Sequence, residues 1–549
     1  MSATLKNVTM SPSRDTSYTL LLIALASIIP FTLHSSDAFA GGFELPENTT
    51  QSVAQGGTGV ALKSDPSALY FNPARLPKAR GFQLLLNTNF VGMDVTFQRD
   101  PLMYQTGSTT YTRQFREVSN QNGFFPAPFM TLSWDLGIEN FALALGAFGP
   151  SAYGSTCYGQ KNEQGECELV PYPQAADGDT TFQDPNGARH MMLDTELLQI
   201  YFTLGAGYTF DLGKSKLGLG IAAAAAYQRT SFGIVIDANT FSSESPWTED
   251  PETEAIFRAD DLVDWRPTAI FGLSYERDGF HLGASYRPPI LWRSTGTASL
   301  TLSDDYQEVS GAELTDDTVD FQTWQAGSLR LGVAWTQGTH PRFDWRPKLS
   351  LEANVVWEDW SRVETFDVTP QGNIRLNALD QELPIQPIQQ TKHWQDSYSL
   401  RLGGSYALNK FVTARAGAYL ETPTQTNAYT NIDFVAWERY GLGGGATVHL
   451  TDWLDLDLAY MHTFMPERRV TNGEFYHAIP LSECTGPDYT NDACESPGQE
   501  PGNPQNEGVW NARYRTASVG LTLHFDRGAH TDKTRAASTP VEEKPESTP

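Results

Sequence analysis

The chain is dominated by segments in which apolar and polar residues alternate at every second position. In residues 513–525, Val519 and Leu521 fall on one face, and Ser518 and Gly520 fall on the other. This period of two is typical of β-strands with one apolar face. Fourteen segments have strand character, at roughly 81–98, 124–135, 140–150, 191–211, 215–238, 266–277, 279–301, 325–338, 347–361, 395–408, 410–420, 437–450, 453–465 and 513–525. The pattern predicts an all-β fold.

Short turns and long loops alternate between these segments. Strands 2 and 3 are joined by a short turn, as are 4 and 5, and so on to 12 and 13; residues 211–214 and 277–279 are examples. Outer-membrane barrels have tight periplasmic turns, long external loops and an even number of strands. A soluble β-sandwich is the alternative, but it does not need every second loop to be long. We therefore expect a 14-stranded antiparallel transmembrane β-barrel over residues 81–525.

The first 40 residues have the features of a secretory signal peptide. An apolar run at residues 18–31 follows Lys6 and Arg14, and residues 38–40 form an A-x-A cleavage site. The run is too short to span a membrane as a helix, although a stop-transfer anchor is the alternative. We expect cleavage of this segment, export to the outer membrane of a Gram-negative bacterium, and a mature chain that begins near Gly41.

Residues 41–80 follow neither a strand period nor a helix period. Gly56, Gly57 and Gly59 and the Asn-Pro-Ala turn at residues 72–74 predict sharp chain reversals instead of helices or strands. Irregular backbone is tolerated at membrane depth only where protein encloses it, because lipid cannot satisfy free backbone groups. We expect residues 41–80 to form a hatch inside the barrel.

The chain is strongly acidic, with 38 basic and 65 acidic residues and a net charge of −27. This charge argues against nucleic acid as a partner, because phosphate binding needs clustered Lys and Arg. Residues 239–265 alone hold eight carboxylates, which predicts a solvated external loop. Bridging of lipopolysaccharide phosphates through divalent cations is the alternative, so outer-membrane lipid and lipopolysaccharide are candidate partners. We expect a monomer.

Four cysteines occur as two pairs, and the members of each pair are ten residues apart in loops rich in Gly, Pro and Asp. A zinc site would need C-x-x-C spacing and His neighbours. In an exported chain, local disulfides are the better interpretation. We therefore expect one disulfide between Cys157 and Cys167 and another between Cys484 and Cys494.

The sequence carries no signature of catalysis, a cofactor or a metal. Residues 207–215 (GYTFDLGKS) resemble a phosphate-binding loop, but they have one residue too many between the glycines and lead into a strand. A Ser/His lipase stays open as an alternative, because its residues need to be adjacent only in space. Residues 526–549 have the composition of a disordered segment, and we expect them to form a periplasmic tail.

Several motifs together resemble the FadL family of outer-membrane transporters for long-chain fatty acids and aromatic hydrocarbons. The motifs are Gly42-Phe43-Glu44-Leu45, the glycine cluster, Asp65, Asn72-Pro73-Ala74, Ser285-Tyr286-Arg287-Pro288, Trp360-Ser361 and Trp394-Gln395-Asp396-Ser397-Tyr398. The resemblance covers nearly the whole mature chain and implies a 14-stranded barrel with an N-terminal hatch. Family members usually end at the terminal aromatic residue of the last strand, here Phe525, whereas this chain continues beyond it.

The resemblance also implies a route for a hydrophobic solute. The solute would be captured in an external apolar groove, move to an inner pocket and leave sideways where strand 3 is kinked. Small residues on the inward face of strand 3 would leave room for the solute to pass. Alternatively, they would only accommodate the hatch, and both interpretations stay open. The hatch and gate residues expected from this picture are Phe43, Asn72, Pro73, Ala74, Gly146, Gly149 and Pro150.

Inward-facing charges are the candidate head-group ligands. Arg287, Arg330 and Arg401 are the arginines expected to receive a fatty-acid carboxylate, because a guanidinium offers forked donors. A lattice with other inward charges, such as Arg415 and Glu352, that ties the wall together is the alternative. Long-chain fatty acids are the expected substrate. An aromatic hydrocarbon, a general porin and a structural or adhesive protein without a ligand are the alternatives.

Overall fold

Fourteen antiparallel strands within the described part of the chain form one closed barrel. The computed structural model describes Glu44 and residues 48–106, 108–121, 123–149, 154–173, 179–237, 254–302, 311–377, 380–385, 387–476 and 504–525. The barrel closes because the first strand pairs with the last, from Phe82 opposite Phe525 to Arg99 opposite Gly508. The predicted barrel with fourteen strands is confirmed.

Half of the fourteen strands consist of two segments that pair with the same adjacent strand. The bounds are β1 Phe82–Arg99, β2 Val118–Ser119 and Phe125–Trp134, β3 Phe141–Phe148 and Gly154–Cys157, β4 Asp194–Asp211, β5 Ser215–Asp237, β6 Glu254–Arg277, β7 Phe280–Arg287 and Ile290–Leu302, β8 Thr318–Gln325 and Ser328–Thr339, β9 Pro347–Glu358 and Thr365–Pro370, β10 Ile388–Thr391 and Ser397–Ala407, β11 Val412–Glu421, β12 Arg439–His449, β13 Leu454–Phe464 and Arg468–Val470, and β14 Gly508–Phe525.

The loops at one end of the barrel carry additional short strands. Leu102–Thr106, Thr109–Phe115 and Thr181–Asp184 form one small sheet, and Ala312–Leu314, Asn373–Leu376 and Gln381–Pro384 form another. Gln160–Lys161 pairs with Cys167–Glu168. These elements lie in the long connections, so this end is the long-loop end of the barrel.

The two faces of the barrel wall follow the alternation in the sequence. On β14, Ser518 and Thr522 are buried inside the barrel, whereas Val519 and Leu521 are exposed on the outside. Outward residues of other strands are also large and apolar, and Leu204 and Leu442 are 61% and 59% exposed. An apolar outer surface over a more polar interior is the arrangement expected of a barrel surrounded by lipid.

Local chemistry explains where the strands turn and break. Asp278 and Gly279 both have positive φ angles, 51° and 81°, as a tight hairpin turn requires. Strand β7 is interrupted at Pro288 and Pro289, because proline has no N–H to donate to a neighbouring strand. Strand β6 begins at Glu254, twelve residues before the predicted start at 266, so part of the expected acidic loop is strand.

The hatch contains short helices, and the expectation that it has none is wrong. Helix α1 spans Thr50–Ala54, α2 spans Ala68–Phe71, and a 3₁₀ helix spans Pro73–Lys78. The Thr49 hydroxyl caps α1 by accepting a hydrogen bond from the Ser52 N–H, at 3.3 Å. Helices of four to six residues are too short to establish a period in the sequence. No helix in the described residues is long and apolar enough to cross a membrane.

The hatch is held to the inner wall by hydrogen bonds and close packing. The Glu352 carboxylate of β9 accepts hydrogen bonds from the N–H groups of Gly59 and Ala61, at 3.2 and 2.8 Å. The Asn72 side chain donates to the carbonyl oxygen of Leu273 in β6, at 3.0 Å. Wall side chains therefore satisfy backbone groups that lipid could not satisfy.

Aromatic side chains close the lumen at the long-loop end. Trp360 packs against Trp394 with ring centroids 5.5 Å apart, and Phe366 packs against Phe434 at 5.8 Å. The predicted disulfide between Cys157 and Cys167 is confirmed. The neighbouring Tyr158 hydroxyl donates to the carbonyl oxygen of Ile432, at 2.8 Å, and so ties the disulfide loop to this core. Cys484 and Cys494 lie outside the described residues.

Candidate functional site

A narrow cavity lies in the lumen near the long-loop end, on the outer side of the hatch. Its wall consists of Met192, Thr195, Leu197, Gln228, Thr230, Phe232, Phe321, Thr323, Phe366, Val368, Gln390 and Phe434. Seven of these side chains are apolar, five carry a hydroxyl or amide group, and none is ionisable. The cavity has about 30 Å³ of free space, whereas small-molecule sites typically have ~300–1,000 Å³. A ligand can therefore enter only if lining side chains move.

A chain of buried amides leads from this cavity toward the hatch. The Gln199 amide donates to Gln228 at 2.8 Å and to Gln325 at 3.4 Å. The Gln325 amide oxygen also accepts hydrogen bonds from Tyr201 and Trp292, each at 3.1 Å. Gln325 is thus the centre of a polar cluster directly below an apolar cavity.

Arg287 lies next to this polar cluster and is 2% exposed. Its Nη2 atom forms an ion pair with the Glu44 carboxylate of the hatch and donates to the Ala326 carbonyl oxygen at 2.8 Å. The same Glu44 oxygen accepts a hydrogen bond from the Gln325 amide at 2.6 Å. The Nε and Nη1 atoms of Arg287 have no hydrogen-bond partner among the described residues. Within the described part of the chain, Arg287 therefore has a carboxylate partner and also donors that no residue uses.

The other predicted arginines contact different parts of the interior. Arg330 binds the hatch residue Tyr70, donating to its carbonyl oxygen at 3.2 Å and to its hydroxyl at 2.8 Å. Arg401 lies 3.6 Å from the Glu421 carboxylate on the neighbouring strand and donates to Ser399 at 2.9 Å. The structure does not bring the three predicted arginines together, and Arg287 alone borders the Gln325 cluster.

The pairing between β2 and β3 ends partway along the wall. Their ladder runs from Trp134 opposite Leu143 to Phe129 opposite Phe148, and no pairing joins residues 125–128 to β3 in the described structure. Pro126 and Pro128 lie in this unpaired part of β2, where each lacks an N–H donor.

The register between β3 and β4 also changes here. Phe148 pairs with Tyr201, and Gly154 pairs with Leu197. The register of the ladder therefore differs by two residues between its two described segments. This change of register lies beside the end of the β2–β3 ladder, so the pairing of the wall is irregular at this point.

An aromatic cluster fills the lumen at the end of the β2–β3 ladder. Phe129 and Phe148 stack with their ring centroids 4.8 Å apart. The edge of Tyr70, from helix α2 of the hatch, packs against both rings, at 6.2 and 5.4 Å. Because Arg330 binds Tyr70, the wall fixes the hatch residue that completes this cluster.

The predicted hatch and gate residues are divided between two places. Pro73 and Ala74 pack against β5 and β6, where a Cβ on Gly220 would lie only 2.2 Å from the Pro73 carbonyl carbon. Asn72 caps the 3₁₀ helix by accepting from the Ala74 N–H at 3.1 Å. Gly146 is on β3, where a Cβ would lie 2.6 Å from the Thr131 side chain of β2 and 3.0 Å from the Leu69 side chain of the hatch.

The small residue at Gly146 thus provides space for a hatch side chain. Gly149 follows the end of the first segment of β3. Phe43 and Pro150 lie outside the described residues.

Sequence reasoning missed several buried residues near the site. Lys392 and Asp433 form a fully buried ion pair, and the Lys392 ammonium group lies 4.5 Å from the centroid of Phe366, a cavity residue. Lys392 lies in the break between the two segments of β10, and Asp433 lies in the connection between β11 and β12, so no strand period predicts which way either side chain points. Glu44 was part of a recognised motif, but its partner Arg287 is 243 positions away. No group of His, Cys, Asp and Glu in the described residues is arranged to hold a metal ion.

Known proteins share this architecture. The family model for outer membrane protein transport proteins (OMPP1/FadL/TodX) matches residues 31–485. A FadL homologue from Pseudomonas aeruginosa superposes with a TM-score of 0.63 at 17% identity, covering 88% of this chain and 100% of the other. The toluene transporter TodX from P. putida superposes with a TM-score of 0.54 at 15% identity, covering 88% of this chain and 99% of the other.

The toluene transporter TbuX from Ralstonia pickettii is similar in the same way, with a TM-score of 0.53 at 15% identity and coverages of 88% and 100%. No match was found among curated protein sequences. The identities to the solved structures are low, so these structures support the fold alone. The family model covers most of the chain, and the chain therefore belongs to the OMPP1/FadL/TodX family of outer-membrane transport proteins.

Proposed function

We propose that this outer-membrane protein takes up long-chain fatty acids from outside the cell. The observation that carries the proposal is the polarity gradient inside the barrel, from an apolar cavity through the Gln199 and Gln325 amides to the buried Arg287. An amphiphile with a long apolar tail and an anionic head group matches this order. The tail would lie among the cavity side chains, and the head group would reach the amides and the guanidinium.

The energetics of such a ligand fit this arrangement. Each methylene group that leaves water contributes about 0.8 kcal/mol, so an aliphatic tail supplies most of the affinity. A carboxylate that loses its water costs several kcal/mol unless a cation and hydrogen-bond donors replace that water. Arg287 and Gln325 offer such donors, and Arg287 has two nitrogen atoms, Nε and Nη1, whose N–H groups no described residue uses.

Lateral release between β2 and β3 is the proposed exit. The ladder ends at Phe129 and Phe148, and Tyr201 connects these rings to Gln325 because its hydroxyl donates to Gln325 and its ring lies 6.4 Å from Phe148. In the proposed route the apolar tail follows these rings to the wall. In this proposal Phe129, Phe148 and Tyr70 form the gate.

A comparison of two ligands that differ only in the head group tests the head-group site. Purified protein should be titrated with oleate and with oleyl alcohol. Arg287→Gln should weaken oleate binding by about 2–5 kcal/mol and leave the alcohol unchanged, because only oleate needs the cation. Arg330→Gln and Arg401→Gln are matched controls, since these buried arginines contact Tyr70 and Glu421 instead. Equal oleate binding by all three variants would contradict the assignment.

Uptake of a neutral aromatic hydrocarbon is the second candidate. Four phenylalanines, Phe232, Phe321, Phe366 and Phe434, line the cavity, and no ionisable side chain does. Arg287 is also already paired with Glu44. If toluene binds with high affinity while oleate and oleyl alcohol bind weakly, the neutral substrate is the correct one.

A further inference from the structure

The carboxylate of Glu44 occupies the donors that a fatty-acid head group would need. One Glu44 oxygen accepts hydrogen bonds from both Arg287 Nη2 and the Gln325 amide, and the residue is 5% exposed. The Gln325 amide oxygen is in turn fixed by Tyr201 and Trp292. The donors are thus arranged around a carboxylate, and the carboxylate belongs to the hatch.

We infer that Glu44 is an internal competitor for the substrate's carboxylate and so determines the affinity for anionic ligands. This inference rests on the proposed function, because it concerns the same head-group site. A fatty acid would replace the Glu44 side chain on Arg287 and Gln325. A neutral ligand would have no such exchange to make.

Charge explains why the two carboxylates compete. Arg287 is one cation, and its pairing with Glu44 leaves no net positive charge to balance a second carboxylate in a dry interior. A ligand carboxylate could still reach the free Nε and Nη1 donors, but Glu44 would repel it at close range. Exchange keeps Arg287 paired with a single carboxylate, whereas simple addition would place two carboxylates on one guanidinium.

The contacts of Glu44 allow its side chain to leave while its backbone stays in place. The Glu44 carbonyl oxygen accepts a separate hydrogen bond from Arg439 Nη1, at 3.2 Å. Arg439 itself is 3.3 Å from the Glu421 carboxylate of the wall. The backbone contact of Glu44 is thus separate from its side-chain contacts, and in this inference the side chain rotates away while the backbone keeps its bond to Arg439.

The variant Glu44→Gln tests this inference. Glutamine keeps the size of the side chain and an oxygen that can accept from Arg287, but it removes the competing charge. We expect its affinity for oleate to rise by about 5-fold to 150-fold, the usual range for coupled sites, and its affinity for oleyl alcohol to stay the same. Glu44→Asp, which withdraws the carboxylate by one methylene, should give a smaller gain and serves as a second variant if Glu44→Gln does not fold.

The matched control is Glu352→Gln, which also removes a buried wall–hatch carboxylate but one that contacts backbone N–H groups instead of Arg287. It should not raise the affinity for oleate. In the double variant Glu44→Gln with Arg287→Gln the gain should disappear. An unchanged oleate affinity in folded Glu44→Gln, or a gain shared by oleyl alcohol or by Glu352→Gln, overturns the inference while leaving the proposed substrate intact. Failure of every variant and the wild type to bind oleate overturns the proposed function as well.

Discussion

At the scale of single residues, Phe148 lies where the proposed substrate route meets the barrel wall. Its ring stacks on Phe129, contacts Tyr70 of the hatch and lies at the last pair of the β2–β3 ladder. It is 1% exposed, so it fills the lumen at the point where the wall becomes irregular. The size of this side chain should therefore control how fast an apolar chain passes.

We expect Phe148→Ala to speed oleate uptake and Phe148→Trp to slow it, because the first variant empties the gate and the second fills it further. Uptake of labelled oleate by whole cells measures both. Phe97→Ala is the matched control, since Phe97 is equally buried and stacks on Trp510 at 4.0 Å, away from the gate. Each truncation should cost about 3–5 kcal/mol of stability, so a general loss of packing would affect both. Equal uptake rates in both Phe148 variants would contradict the gate.

At the scale of elements, the turn between β8 and β9 crosses the short-turn end of the barrel. Arg342 is paired with Asp452 at 2.8 Å and donates to the His449 carbonyl oxygen at 3.0 Å. Arg346 is 2.7 Å from Asp455. A turn that follows β8 is thus fixed to the ends of β12 and β13.

The same turn contains a buried histidine that should respond to pH. Burial, together with the nearby His449, Arg346 and Arg342, lowers the pKa of His340 from 6.5 to about 4, although Asp455 opposes the shift. Because the pKa is lower in the folded turn, the folded turn favours neutral His340. The turn is therefore fully stable above about pH 6.5 and loses stability as the pH falls from 6.5 toward 4.

Hydrogen exchange of residues 340–346, corrected for its intrinsic pH dependence, measures this effect. We expect protection to decrease between pH 6.5 and pH 4, and a variant His340→Asn to lose that dependence. Protection that stays constant over this interval in the wild type would mean that His340 does not titrate with the turn.

At the scale of the whole molecule, the barrel and the hatch have different roles. Strand pairing from β1 to β14 closes without the hatch, whereas the hatch depends on wall groups such as Glu352 for its backbone hydrogen bonds. Deletion of residues 41–80 should therefore leave a folded, heat-resistant barrel that conducts hydrophilic solutes. Planar-bilayer conductance and heat-dependent gel migration test this. A deletion that fails to insert, or one with unchanged conductance, would contradict it.

The wall of the barrel was predictable because strand alternation is local. The start of β6 was not predictable. Asp260 and Asp261 continue the strand into the region of the predicted external loop, where an apolar face is not required. Asp261 also forms a bulge, with a φ of 52°. The inward direction of Arg287, Arg330 and Arg401 followed from the period. The partners of these arginines could not be predicted from the period, because contacts such as that between Arg287 and Glu44 join residues far apart in the sequence.

Uptake by cells that lack their own carriers for these compounds tests the central claim most directly. Cells expressing the wild type or Arg287→Gln should be given labelled oleate and labelled toluene in parallel. The proposal predicts that the wild type restores oleate uptake and that Arg287→Gln loses about tenfold or more of it, since even 1.4 kcal/mol of lost binding is tenfold. Restoration of toluene uptake alone by the wild type, or full oleate uptake by Arg287→Gln, would contradict it.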